Sequence, residues 1–221
     1  MELQMNFKRA EDAIIFPWLQ QNLQPQRTIV DIGARKGHWF KSIAYYFPDS
    51  PAHLFEPTPN IYEWLDSKHR KNDRVTVHGV ALSDVSATLD FHIDLELGGW
   101  SGLTQQRENG KYKTIQVPVK TLDSYKFKNV GLIKIDVEGN ELKTIRGAEK
   151  TIQKNKPILY FECADVHMTN YDYGSGEIFN FFNNLNYNIL DLDLNVCTKE
   201  QLQEHTASKS SLYHNFIAKP K

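Results

Sequence analysis

The chain has 221 residues, 40% of them apolar, with 26 Lys and Arg against 27 Asp and Glu for a formal charge of −1. That length suits one large α/β domain spanning 1–221, and the near-neutral charge, without a long Lys/Arg cluster, lacks the electrostatic footprint of a nucleic-acid binder. No apolar run reaches the ~18–20 residues of a membrane span, Met1-Glu2-Leu3-Gln4 lacks a secretory pattern, and the distant cysteines Cys163 and Cys197 suit a reducing compartment, so a soluble, cytoplasmic protein is expected.

Residues 1–25 read as an N-terminal helical segment. Ile14, Ile15, Trp18, Leu19 and Leu23 recur at helical spacing between Ala10 and Leu23, and Pro17 is expected to kink or divide the helix rather than abolish it. A strand over 28–32, a helix over 38–47, a strand over 52–56, a helix over 59–69 and a strand over 74–80 follow. This alternation indicates βαβ units and a parallel sheet. The rhythm breaks over 86–119, where the alternating segments Thr88–Ile93 and Thr114–Val119 predict a β insertion around a polar loop, 97–111, that carries Trp100 among glycines. The core pattern resumes with a strand over Gly131–Asp136, a helix over Glu141–Gln153, a strand over Ile158–Glu162, a helix over Gly176–Leu185, and strands near 187–192 and 212–218.

The first strand runs into Asp31-Ile32-Gly33-Ala34-Arg35-Lys36-Gly37, where Gly33 and Gly37 let the backbone turn tightly beside a ligand. A dinucleotide fingerprint would carry its first glycine where Asp31 stands, and a pyrophosphate there would meet a carboxylate. A ligand with an ammonium group and no phosphate suits Asp31 instead; S-adenosylmethionine (SAM) is one. Glu56 lies 25 positions after Asp31 and is halted by Pro57, where nucleotide-binding α/β folds place an acid on the ribose hydroxyls. Ala81 and Leu82, at the end of the third strand, suit a flat adenine ring. An ordinary turn and a solvated glutamate are the bland alternatives.

Asp136 ends a core strand, where open α/β sheets bind ligands, and Glu138 and Glu162 lie at adjacent strand ends. Three converging carboxylates repel unless one is protonated, paired with a cation or bound to a metal, so Asp136, Glu138 and Glu162 are candidates both for general base and for ligands of Mg²⁺ or Mn²⁺. Capping and loop pairing are the structural alternatives. His167 is a further catalytic candidate, and Trp100, Tyr171 and Tyr173 are candidate walls for a substrate ring.

Val30-Asp31-Ile32-Gly33-Ala34 with Gly37, Phe55-Glu56-Pro57, Val80-Ala81-Leu82-Ser83-Asp84, Thr121-Leu122-Asp123 and Lys134-Ile135-Asp136-Val137-Glu138-Gly139-Asn140-Glu141 resemble, in order, the motifs of FkbM-family methyltransferases. The resemblance runs from about 28 to 162. It implies a class I (Rossmann-like) SAM-dependent methyltransferase: a three-layer α/β sandwich on a seven-stranded, mostly parallel sheet. It also implies O-methylation of hydroxyl groups on sugars, glycans or secondary metabolites. Arg35 and Lys36 depart from the family, which usually carries Asn before the residue preceding the last glycine; both side chains are expected to face solvent or an anionic substrate. A nicotinamide-dependent oxidoreductase, disfavoured by Asp31, and a non-catalytic binding scaffold are the competing functions.

Overall fold

The computed structural model describes residues 11–208 and 214–221. Met1–Gln4, the expected helix start at Ala10 and positions 212–213 of the expected last strand lie outside the described residues. The helix α1 (Asp12–Asn22) contains Pro17, as expected, and precedes β1 (Thr28–Ile32), α2 (His38–Tyr46), β2 (Ala52–Phe55), α3 (Pro59–His69) and β3 (Val75–His78). The insertion follows as β4 (Ala81–Leu82), β5 (Ala87–Asp94) and β6 (Tyr112–Lys120). The chain then forms β7 (Val130–Ile135), α4 (Glu141–Arg146), α5 (Glu149–Asn155), β8 (Ile158–Glu162), α6 (Asp165–Met168), α7 (Ser175–Asn184), β9 (Tyr187–Leu190), α8 (Lys199–Thr206) and β10 (Asn215–Pro220).

Seven strands form one sheet in the order β3-β2-β1-β7-β8-β10-β9. The pairs from β3 to β8 are parallel, and β10 runs antiparallel between β8 and β9. β1 is buried at all five positions, as a strand covered on both faces must be. Its period-2 alternation sorts the core. Val30 and Ile32 join Ile133, Ile135, Leu159 and Phe161 against Leu142, Ile145, Ile178 and Phe182 of α4 and α7. Ile29 joins Leu132 and Tyr160 against Ile15, Phe16, Phe40, Ile43 and Leu65 of α1, α2 and α3. The result is the three-layer α/β sandwich with helices on both faces.

β5 pairs antiparallel with β6, and β4 parallel with β6, so the insertion makes a separate three-stranded sheet with its own small core of Ala81, Phe91, Val117 and Val119. Its far end reshapes the main body. The sequence suggests one helix over 141–153, but the structure breaks it between α4 and α5. At Gly147 a Cβ would overlap the carbonyl of Ser83, which presses close at the end of β4. Asp123 then caps the new start, accepting from Lys150 N at 3.0 Å and from Thr151 N and Oγ1 at 2.8 and 2.7 Å. A carboxylate on free N–H groups at a helix start is worth about 0.5–2 kcal/mol. Asp123→Ala is therefore expected to lower unfolding free energy by about 1–2 kcal/mol in urea titrations; an unchanged midpoint would show that the break does not depend on this cap.

Candidate active site

The carboxyl ends of β1, β2, β7 and β8 open into a cleft of about 400 Å³, within the size range of small-molecule sites. Its lining joins Gly33, Ala34, Glu56, Pro57, Ala81 and Leu82 with Asp136, Glu138, Glu162 and His167. Gly33 has φ +76°, and a Cβ there would overlap the carbonyl of Asp136, so only glycine lets the β1 turn cross the end of β7. The turn is pinned by Gly33 N and Ala34 N, which donate to Phe55 O at 3.1 and 2.9 Å.

Glu56 is buried at the end of β2. Its Oε2 accepts from Arg35 N at 2.9 Å and its Oε1 from Thr58 N at 2.8 Å. Burial pushes its pKa up, against the lowering effect of these bonds and of the Lys134 charge. Each oxygen has further acceptor capacity, and the carboxylate faces the cleft in a fixed orientation.

Asp31 is placed differently from the sequence expectation. It is fully buried and does not line the cleft, because its position in β1 points it toward the α1–α3 face. Its Oδ1 lies 3.5 Å from Nζ of Lys134, the residue directly across the β1–β7 pair. The same ammonium lies 3.2 Å from Asp136 Oδ2 and donates to Gly33 O at 3.1 Å. Asp31 therefore sits beneath the cleft, against the ammonium that holds the Gly33 turn. Gly37 also turns away: it does not line the cleft, and its constraint is Leu65 of α3, 2.9 Å from where a Cβ would stand.

The acids of the second wall divide in the same way. Asp136 lines the cleft but is tied to Lys134. Glu138 does not continue the strand direction; it sits at φ +55°, a left-handed conformation that costs of order 1 kcal/mol for a non-glycine residue, and this turn swings its side chain toward β8. There Glu138 Oε2 and Glu162 Oε2 each lie 3.3 Å from the same Nδ1 of His167. Burial, followed by the charges of Glu162 and Asp136, pushes Glu138 well above the usual carboxylate range. Burial alone would lower His167, but the Glu162 hydrogen bond and the surrounding carboxylates raise it overall. Glu141, at the start of α4, accepts from Val137 N at 2.9 Å and Gly139 N at 3.3 Å and braces the turn from behind.

Trp100 lines the cleft and stands edge-on to His167, ring centroids 5.0 Å apart. Tyr171 and Tyr173 do not line it. Tyr173 Oη donates to Gly139 O, and the Tyr171 ring packs where a Cβ on Gly139 would sit, so both tyrosines support the Glu138–Gly139 turn. The exposed Arg35 lies over the loop glycines, a guanidinium nitrogen 3.0 Å from where a Cβ at Gly99 would stand. Sequence reasoning missed Lys134 and also Gln106, whose amide donates to Thr104 Oγ1 at 2.9 Å and Glu138 O at 2.5 Å, fastening the insertion loop to the acidic wall.

The sheet order, with one antiparallel strand beside its edge, and the cleft at the parallel strand ends define a class I, Rossmann-like methyltransferase fold. Residues 31–189 match the Methyltransferase FkbM domain, and the chain belongs to that family of SAM-dependent methyltransferases. It is 28% identical over 162 residues to the 2-O-methyltransferase NoeI of Sinorhizobium fredii (strain NBRC 101917 / NGR234), covering 66% of each protein. The structure of Methyltransferase FkbM from Methylobacillus flagellatus KT superposes with a TM-score of 0.58 at 17% identity, over 96% of this chain and 48% of that one. A chain of the fibrillarin/Nop5p complex matches at TM-score 0.51 and 11% identity, over 90% of this chain and 74% of that one, a likeness of fold alone. The present chain thus spans about half the length of the solved FkbM protein and 66% of NoeI.

Removing one partner of a buried ion pair leaves an uncompensated charge, at a cost of about 3–5 kcal/mol. Lys134→Met is expected to destabilise the fold by that amount in denaturant titrations, and adding Asp31→Asn to recover part of it. Equal stability of Lys134→Met and the parent would show that the ammonium is not what neutralises Asp31.

Proposed function

We propose that this chain is a SAM-dependent O-methyltransferase acting on a hydroxyl group of a sugar, glycan or secondary metabolite. The observation that carries this reading is that one cleft joins two chemistries: a buried, backbone-held acid at the end of β2, and a wall of Glu138, Glu162 and His167 at the ends of β7 and β8. SAM, when bound, supplies a methyl group on a sulfonium leaving group. Glu56 accepts hydrogen bonds from the ribose hydroxyls, Gly33 and Ala34 give the methionine portion close access to backbone, and Ala81 and Leu82 flank the adenine. Asp31 serves this site indirectly, by keeping Lys134 beneath the Gly33 turn.

The acceptor enters on the Trp100 side. Its hydroxyl must shed a proton as the oxygen attacks, and a carboxylate or the imidazole of the wall formed by Asp136, Glu138, Glu162 and His167 accepts that proton as general base. Trp100 supplies a flat apolar surface suited to the C–H face of a sugar ring. NoeI, named as a 2-O-methyltransferase, supports oxygen as the methylated atom. The chain's charge of −1 supports a small molecule or glycan over a nucleic acid as acceptor. No helix among the described residues is long and apolar enough to cross a membrane, and we place the reaction in the cytoplasm.

Glu56→Ala is expected to weaken SAM binding by about 10- to 150-fold in calorimetry, the 1.5–3 kcal/mol of hydrogen bonds to a charged group. Undiminished affinity would remove Glu56 from the donor site. Trp100→Ala is expected to raise KM for a carbohydrate acceptor with little change in SAM affinity; a loss of SAM binding with unchanged KM would place Trp100 on the donor instead.

A further inference from the structure

Three side chains in the acidic wall stand closer together than acceptance of one proton requires. His167 is 8% exposed, and its Nδ1 faces two carboxylate oxygens at 3.3 Å, one from Glu138 and one from Glu162. A single ring nitrogen has one proton to donate, and it cannot satisfy both oxygens when both carboxylates are ionised. Glu138 Oε2 is sealed from solvent and has no hydrogen-bond donor with good geometry among the described residues. The donor atoms of Glu138, Glu162 and His167 all lie within 4.8 Å of one another.

The two separations from His167 fit a shared metal ion. Bonds of ~2.0–2.1 Å to nitrogen and oxygen ligands in a tetrahedral site put neighbouring ligand atoms ~3.3–3.4 Å apart. Both His167–carboxylate distances match that edge before any atom moves. The positions are also rigidly supplied. The left-handed turn at Glu138 is fixed by Tyr173, by Gln106 and by Gly139, where a Cβ would overlap the carbonyl of His167. Glu162 is carried by β8, and Glu138, Glu162 and His167 all line the cleft, which leaves one side of the group open to a small ligand.

We propose that Glu138, Glu162 and His167 bind one divalent transition-metal cation, of the Zn²⁺ or Mn²⁺ class, at the acceptor end of the cleft. The inference rests on the reading of this cleft as a methyltransferase site only for its role, which is to hold and polarise the acceptor hydroxyl. It differs from the set expected from the sequence in two ways. Asp136 is committed to Lys134 and gives way to His167, and an imidazole ligand favours zinc or manganese over Mg²⁺, which prefers an all-oxygen shell. A second group, Asp191, Cys197 and His205, also brings potential ligands together, but it lies away from the cleft and serves as an internal control.

Co²⁺ is the probe, because its visible d–d bands report ligand type and geometry. Titrating metal-free protein is expected to give one equivalent of tightly bound Co²⁺ without a thiolate charge-transfer band. His167→Ala and the more conservative Glu162→Gln are expected to weaken that binding at least tenfold, while His205→Ala leaves it unchanged. Parental thermal midpoints for the variants, or a native fold in Glu162→Gln alone, keep the comparison valid. No Co²⁺ bands, bands that survive both wall substitutions, or a thiolate band lost in His205→Ala would each overturn the site. SAM calorimetry on the same metal-free protein separates the two readings: SAM binding without Co²⁺ binding removes the cation and leaves the methyltransferase, whereas Co²⁺ binding without SAM binding does the reverse.

Discussion

The cleft depends on one buried cation. Lys134 stands in the middle strand of the sheet, 5% exposed, with its ammonium shared between Asp31, Asp136 and the carbonyl of Gly33. Removing a charge from water costs several kcal/mol, and the arrangement is stable only because two carboxylates and a carbonyl replace the lost hydration. In exchange, the turn after β1 and the end of β7 are locked in register. The backbone crossing at Gly33 and Asp136 that shapes the cleft floor follows from that lock.

The same cation decides which acids remain available. Asp31 and Asp136 are engaged by Lys134, and Glu141 is occupied by the amides of the β7–α4 turn. Glu138 and Glu162 have no lysine or arginine partner among the described residues; they share His167. Glu56, across the cleft, is oriented by two backbone amides. A dense group of carboxylates is thus sorted by neighbours into structural members and members that face a ligand. The strain at Glu138 is part of that sorting, because an extended backbone would send its side chain along the strand rather than toward β8.

The sheet was legible in the sequence because buried parallel strands leave short apolar runs, rich in β-branched residues at Thr28–Ile32 and in aliphatic and aromatic ones at Ile158–Glu162, bounded by glycine and proline. The alternation of 88–93 and 114–119 likewise marked the insertion. The break between α4 and α5 was not legible, since it arises from Ser83 pressing on Gly147, a contact between residues 64 positions apart in the sequence. The helix α8 left a signal that could have been read: Thr198 and Gln201 form a capping box, with Gln201 N donating to Thr198 Oγ1 at 3.2 Å. At the site, Glu56 and the acids of 136–138 stood out by their places at strand ends. Asp31 did too, but the alternation of β1 puts it on the face of Ile29, opposite Val30 and Ile32, and so beneath the cleft. Lys134, a lone lysine among isoleucines in a central strand, was the clue that a buried acid had to lie opposite it. Tyr171 and Tyr173 look like flexible-loop aromatics in the sequence, and only the fold shows that they support Gly139.

The most direct test of this account is a crystal structure of the protein with S-adenosylhomocysteine, the demethylated cofactor. The expected result places the ribose hydroxyls on Glu56, the adenine beside Ala81 and Leu82, and the sulfur facing the wall of Glu138, Glu162 and His167, with Asp31 still on Lys134 beneath the floor. A ligand whose ribose lies away from Glu56, or whose amino group displaces Lys134 from Asp31, would contradict it.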